Sequence, residues 1–224
     1  SDIQDPEAEA EEVLSANLIE LGLYWRAQGH HWTTWARAAG GYASFEAKRS
    51  LVGEGLYINN TSEWSGFTLA LAGGASYERN FGRFNIRPEV YAEYFGLNED
   101  SRVESGGGDG FDLEIDEREG HIFSTVAAVN FGYGFGTNGW IRPEVRLGWR
   151  QNLSVDAGET IGRFINGSGP DFRLTPKAVE GGGLIAGFRL SVGNELGMLS
   201  INADAEQLED YIRYTLLLRA SFKF

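Results

Sequence analysis

Cysteine is absent from this 224-residue chain, which removes disulfide scaffolds, thiolate metal sites and cysteine nucleophiles together. No apolar run approaches the roughly 20 residues a membrane-spanning helix needs, so a helical membrane protein is excluded. Basic charge is short: 19 Lys and Arg stand against 32 Asp and Glu, a formal net charge of −13. No basic stripe is offered to phosphates, so nucleic acid is not an expected partner. Histidine is scarce, and His30-His31 and the distant His121 lack metal-ligand spacing. There is no Gly-x-Ser-x-Gly, no Walker motif, and no Gly-x-Gly-x-x-Gly after a strand. Carboxylates are plentiful, but nothing in the sequence brings two together as an acid/base pair. Neither catalysis nor a cofactor is therefore expected. What remains is 31 Gly, 14 Phe, 9 Tyr and 6 Trp with only 5 Pro. That balance suits long β-strands with aromatic girdles and points to a β-barrel. A hydrophobic content of 42% argues against disorder, and the length suits one domain.

The dominant periodicity is 2, not 3.6. At the C-terminus Tyr214, Leu216, Leu218, Ala220, Phe222 and Phe224 share one face, while Thr215, Arg219, Ser221 and Lys223 share the other, Leu217 being the exception. Ile19, Leu21, Leu23 and Trp25 oppose Glu20, Tyr24 and Arg26 in the same way. So do Phe84, Ile86, Pro88 and Val90 against Arg87, Glu89 and Glu93, and Ile141, Val145, Leu147 and Trp149 against Arg142, Glu144, Arg146 and Arg150. Segments around 67–78, 123–133, 184–192 and 199–206 repeat the pattern, and 32–46 shows it more weakly around Trp35, Arg37 and Tyr42. About nine strands result, each as long as the roughly 9–11 residues a tilted strand needs to cross a bilayer. Strands of soluble sandwiches average about 5–6 residues, so a membrane barrel is preferred over a soluble β-sandwich binding module.

Short connectors fall at Gln28–His31, Asn80–Arg83, Gly136–Gly139 and Gly193–Gly197, and long ones at Lys48–Ser62, Leu97–Gly110 and Leu153–Gly183. Outer-membrane barrels place short turns in the periplasm and long loops outside. A short turn near Glu209–Tyr211 breaks the rule, because it must be external. Ile86-Arg-Pro-Glu-Val90 is echoed by Ile141-Arg-Pro-Glu-Val145, each following a tight turn. Ser1 opens onto an acidic stretch, Asp2 to Glu12, with no signal peptide. Residues 1–12 are read as an acidic extracellular loop or tail, and 13–224 as an antiparallel transmembrane β-barrel domain. An outer-membrane protein needs a leader, so the chain is expected to be a mature form or a piece of something longer.

The terminal strand Tyr211–Phe224, Ile141–Arg150, Gly181-Gly-Gly-Leu-Ile-Ala-Gly-Phe-Arg189 and Gly40-Gly-Tyr-Ala-Ser-Phe45 resemble the translocator β-domain of Gram-negative autotransporters, the type V secretion proteins. The resemblance implies a twelve-stranded outer-membrane barrel with a helix in its pore that leads to an exported passenger. With about nine strands, this chain would be the C-terminal portion of such a barrel. Its first three strands, the plug helix and the passenger would lie on an N-terminal fragment of the same precursor. Splitting Phe111–Asp116 off as a separate strand gives ten, and with it a smaller closed barrel.

On either count the polar face supplies Glu20, Arg26, Arg37, Glu78, Arg87, Glu89, Glu93, Arg142, Glu144, Arg146, Arg150, Arg189, Asp204 and Glu206 to the barrel interior. Mixed signs on neighbouring strands read as ion-paired lining of a water-filled pore, and equally as a low-adhesion path for an extended polypeptide. Leu216, Leu218, Phe222 and Phe224 form an alternating edge that suits an assembly signal for the outer-membrane insertion machinery. Acidic residues between Asn98 and Glu119 lack EF-hand spacing and read as a solvated loop. Two functions follow: a translocator and anchor for a passenger, or a free-standing barrel acting as a passive pore or scaffold.

Overall fold

A computed structural model describes residues 10–53, 56–108, 110–136, 140–167, 169–208 and 211–222. In chain order the strands are β1 (Ala10–Gln28), β2 (Trp32–Gly53), β3 (Leu56–Tyr77), β4 (Arg79–Phe81), β5 (Phe84–Glu99), β6 (Arg102–Val103), β7 (Leu113–Ile115), β8 (Arg118–Tyr133), β9 (Trp140–Asp156), β10 (Thr160–Phe164), β11 (Phe172–Leu174), β12 (Gly181–Asn194), β13 (Gly197–Leu208) and β14 (Tyr211–Phe222). Nine of them form one antiparallel wall in the order β1-β2-β3-β5-β8-β9-β12-β13-β14, and β4 extends the β3–β5 hairpin. Gly82 turns that hairpin at φ 64°, a left-handed conformation glycine takes without strain. A second sheet, β11-β10-β7-β6, is built from the two long connectors.

The pairing register fixes the slope of the wall. Followed straight across the ladders, Gln28 at the foot of β1 is level with Thr33, Ser76, Glu89, Ala128, Gly148, Ile185, Glu206 and Arg213. Phe222 at the foot of β14 lies nine residues further along its strand (213 to 222). Nine residues of roughly 3.3 Å over eight strand spacings of roughly 4.8 Å give a tilt of about 38°. That falls within the roughly 35–45° of bacterial outer-membrane barrels.

Side chains that share a register row share a face, so the two faces can be traced from strand to strand. The outer face carries exposed Ile19, Leu21, Leu23, Phe67, Leu147, Trp149, Phe188, Leu216 and Leu218. Its upper limit is sharp. Ile19, Tyr42 and Phe67 form one row, and two residues higher Asn17, Ser44 and Ser65 form a wholly polar one. Ten residues below Tyr42 and Phe67 lie Trp32 and Tyr77, whose rings pack at 4.8 Å. At a 38° tilt these two aromatic levels are about 26 Å apart, the height of the roughly 25 Å apolar band of such barrels.

Three expectations change. Lys48–Ser62 is not a long loop, because β2 and β3 stay laddered from Lys48↔Thr61 to Gly53↔Leu56. Above the apolar band neither face has to be apolar, so the hairpin continues without the alternation that would reveal it. The other two long connectors are partly ordered into the small sheet. Within them Leu113–Ile115 is a strand, but it adds no separate wall strand: its pairings with β6 and β10 keep the registers of β5 with β8 and of β8 with β9, so the small sheet prolongs those ladders upward. β1 begins at Ala10, inside the stretch read as a tail, and pairs Glu11 with Ser50 and Glu12 with Arg49. Residues 1–9, the turn residues 137–139 and 209–210, and Phe224 lie outside the described residues.

Candidate functional site

The inner face of the wall is where the charges meet. Arg150 on β9 pairs with Glu93 on β5 at 2.9 Å and with Glu206 on β13, and donates to the Ser124 hydroxyl at 2.7 Å. Glu93 also takes Arg37 from β2 at 3.4 Å, and Glu206 also takes Arg213 from β14. Arg37, Glu93, Arg150, Glu206 and Arg213 therefore form a chain of alternating sign from β2 to β14. Each link skips at least one strand or closes the edge pair. Side chains can reach past an intervening strand only where the sheet curls around them, so this face is concave.

Two shorter rows lie below. Arg146 meets Glu89 at 2.8 Å and Asp204 at 3.8 Å, and donates to the Tyr91 hydroxyl at 3.1 Å. Arg142 joins Glu78 at 3.4 Å and Glu144 at 3.9 Å, while Arg189 meets Glu144 at 3.5 Å and donates to Asn202 Oδ1 at 2.7 Å. Arg87 faces the same hollow as Arg146 and Arg189. Most side chains of these two rows keep part of their surface open to the hollow, so water shares in screening a carboxylate that loses its partner. Between the rows a cavity of about 680 Å³ opens, lined among others by Arg37, Glu93, Arg150, Glu206 and Thr215.

Twelve of the interior residues named from the sequence thus lie together on the concave wall: Arg37, Glu78, Arg87, Glu89, Glu93, Arg142, Glu144, Arg146, Arg150, Arg189, Asp204 and Glu206. Glu20 and Arg26 are in register with that face on β1 but are exposed, with no ion-pair partner among the described residues. Arg213, Tyr91, Ser124 and Asn202 complete the rows without having been singled out. Arg213 was legible, since it continues the polar alternation of Thr215 and Arg219. The wall also holds an apolar patch, Val126, Ala128 and Ile185 against Tyr91, which a purely polar lining did not anticipate. Trp35 shares the concave face with Arg37 and tilts toward Tyr91 at 6.0 Å, which is why the alternation of β2 reads weakly. Leu216, Leu218 and Phe222 are exposed on the outer face of β14, while Leu217 is on the inner one.

A family model for the autotransporter β-domain matches residues 12–206. The chain belongs to that family. Among solved structures, the translocator domain of the autotransporter NalP from Neisseria meningitidis matches with a TM-score of 0.59 at 12% identity, covering 96% of this chain and 68% of that one. No curated protein matches significantly. The autotransporter β-domain is an outer-membrane β-barrel that serves protein transport as a translocator and anchor domain. The apolar outer band and charged inner wall are the two surfaces such a domain needs. Among the described residues no helix is long and apolar enough to cross a membrane.

Proposed function

We propose that this β-domain exports a passenger polypeptide to the surface of a Gram-negative cell and anchors it in the outer membrane, acting as a conduit without a catalytic step of its own. The observation that carries the reading is the alternating-charge row from Arg37 to Arg213 on the inner wall. Every cation in it is held by a carboxylate of the wall, so the lining stays hydrated yet offers a sliding chain few free charges to bind. Short turns on the periplasmic side and the tall β2–β3 hairpin outside give the barrel the usual polarity. The test is protease shaving of intact cells that express the full precursor. Passenger is expected at the surface with the β-domain present, and retained in the periplasm when residues 13–224 are deleted. Surface passenger without the β-domain, or solute flux through the barrel with no effect on the passenger, would leave only the passive pore.

A further inference from the structure

The wall does not stop at the outer limit of the apolar band. β6 with β7 keeps the register of β5 with β8, and β7 with β10 that of β8 with β9, so the small sheet carries the wall upward beside β3. Ser105 and Thr61 exchange both backbone hydrogen bonds at 2.9 Å, which joins this extension to β3. Asn60, 1% exposed, donates through Nδ2 to Phe111 O at 2.9 Å and Asp112 Oδ1 at 3.0 Å, and Arg49 meets Glu104 at 2.5 Å. The Arg102 guanidinium lies 3.8 Å above the Trp64 ring. Trp64 is already three residues above Phe67 (67 to 64), the outer limit of the apolar band on β3. Because the register rows climb from β3 toward β11, the extension stands clear of the lipid.

Its two faces can be told apart row by row. Trp64 is buried on the concave face, so Arg102 above it, Ile115 opposite Arg102, Gly162 opposite Ile115 and Phe172 opposite Gly162 all look toward the barrel axis. Leu113, Phe164 and Leu174 lie two positions along the same strands and share that face. Phe164 is 48% exposed and Leu174 60%, and the Phe164 and Phe172 rings are 6.3 Å apart. The opposite face is charged: Arg163 pairs with Glu114 at 2.8 Å and Asp116 at 3.1 Å, and Arg173 with Glu159 at 2.9 Å. This reverses the wall below, where charges face the axis and apolar side chains face lipid. Above the lipid, apolar side chains turned to the axis have no packed layer over them among the described residues, and exposed apolar surface of this kind marks an interaction site. β11 is the last strand of its sheet, and its far edge has no partner strand among the described residues. An extended segment can pair with such an edge through its backbone while its alternate side chains reach the apolar face. Position decides which segment that is. The face continues the inner wall of a translocator strand for strand, so a chain leaving the barrel passes it before it reaches the medium. The ion-paired lining below offers that chain little to adhere to, and this is the first adhesive surface on its way.

We propose that this axis-facing surface docks the exported polypeptide as it leaves the barrel. It takes an extended segment with apolar residues at alternate positions, laid against Leu113, Ile115, Phe164, Phe172 and Leu174 and paired along the free edge of β11, so that the length already outside does not slip back. This rests on the reading of the barrel as a conduit. The test places a photoreactive phenylalanine analogue at one position at a time in the full precursor and illuminates cells during export. At Phe164 or Leu174 it should crosslink to the passenger with a yield several-fold above that from Arg163 or Arg173 on the opposite face. The same analogue at Thr215, on the inner wall, reports on the conduit itself. Crosslinks from Thr215 with none from Phe164 and Leu174, or with equal yield from the two faces, would overturn the docking surface and leave the conduit standing. Crosslinks from Phe164 and Leu174 to a second barrel in place of the passenger would overturn it as well. No passenger crosslink from any position, Thr215 included, would overturn the conduit reading and the docking surface with it. In a second variant, F164S/L174S, the final amount of surface passenger should match the parent, while the time to reach half of it should lengthen several-fold. An unchanged time in a barrel still shifting on gels when boiled would overturn the proposal. If F164S/L174S fails to insert, the crosslinks decide alone.

Discussion

At the scale of single residues, the two faces of β9 separate cleanly. Leu147 is 49% exposed on the outside, and its neighbour Arg146 is held by Glu89, Asp204 and Tyr91 on the inside. Leu147→Arg is expected to destabilise the inserted barrel by about 2–4 kcal/mol, the cost of a cation on the lipid face near the middle of the band. Arg146→Leu, which leaves two carboxylates in a wet interior, should be milder for insertion. Denaturant midpoints of the two variants in detergent, read by gel shift on heating, give the ranking, and the reverse order would mean that the faces are exchanged. Alternation made this contrast legible in the sequence, because one side of every wall strand must satisfy lipid. The identity of each ion-pair partner was not legible. Arg150 meets Glu206 only because two strands 56 residues apart in the chain are brought two places apart in the sheet. Glycine has a related part that sequence alone did not reveal. A Cβ at Gly148 would lie 2.6 Å from the Ala128 Cβ, and one at Gly74 2.4 Å from the Tyr91 Cβ, so these concave positions have no room for a side chain where the wall curls.

At the scale of elements, β14 carries the sharpest expectation. It is an edge strand whose outer side chains Tyr214, Leu216, Leu218 and Phe222 are all more than two-thirds exposed. An unpaired edge with regular alternation can add to another sheet before the barrel closes, which is how an insertion machinery would read it. Deleting Phe224, or substituting Phe222→Ala and Leu218→Ala together, should sharply reduce barrel recovered in the outer membrane, measured by heat-modifiability. Undiminished recovery would remove the assembly role from this strand. The nine wall strands were readable from the sequence because each alternates across the apolar band. The upper halves of β2 and β3 were not, since Ser50, Asn59, Asn60, Thr61 and Ser62 are polar or small on both faces. The same holds for the small sheet, whose strands of two to five residues leave no periodicity to find.

At the scale of the whole molecule, the wall has two free edges among the described residues, β1 and β14. Each unpaired backbone group costs several kcal/mol in hydrocarbon, so an open edge cannot persist in a bilayer. We expect further strands of the same precursor, three in a twelve-stranded barrel, to pair with both edges. The barrel taken from the membrane in mild detergent should then have a mass above the 24.7 kDa of this chain, with the extra strands either continuous with it or released as a smaller fragment on boiling. A mass of 24.7 kDa together with density laddering β1 directly onto β14 would refute the expectation. The unequal strand lengths have a consequence of their own. β2 and β3 run 22 residues each, but β13 and β14 only 12, a difference of about 26 Å in height at the tilt of the wall. Such a barrel does not end flush with the lipid; it has a raked collar. An antibody, phage or protease arriving from the medium meets the tall β2–β3 side of the collar well before the short β13–β14 side.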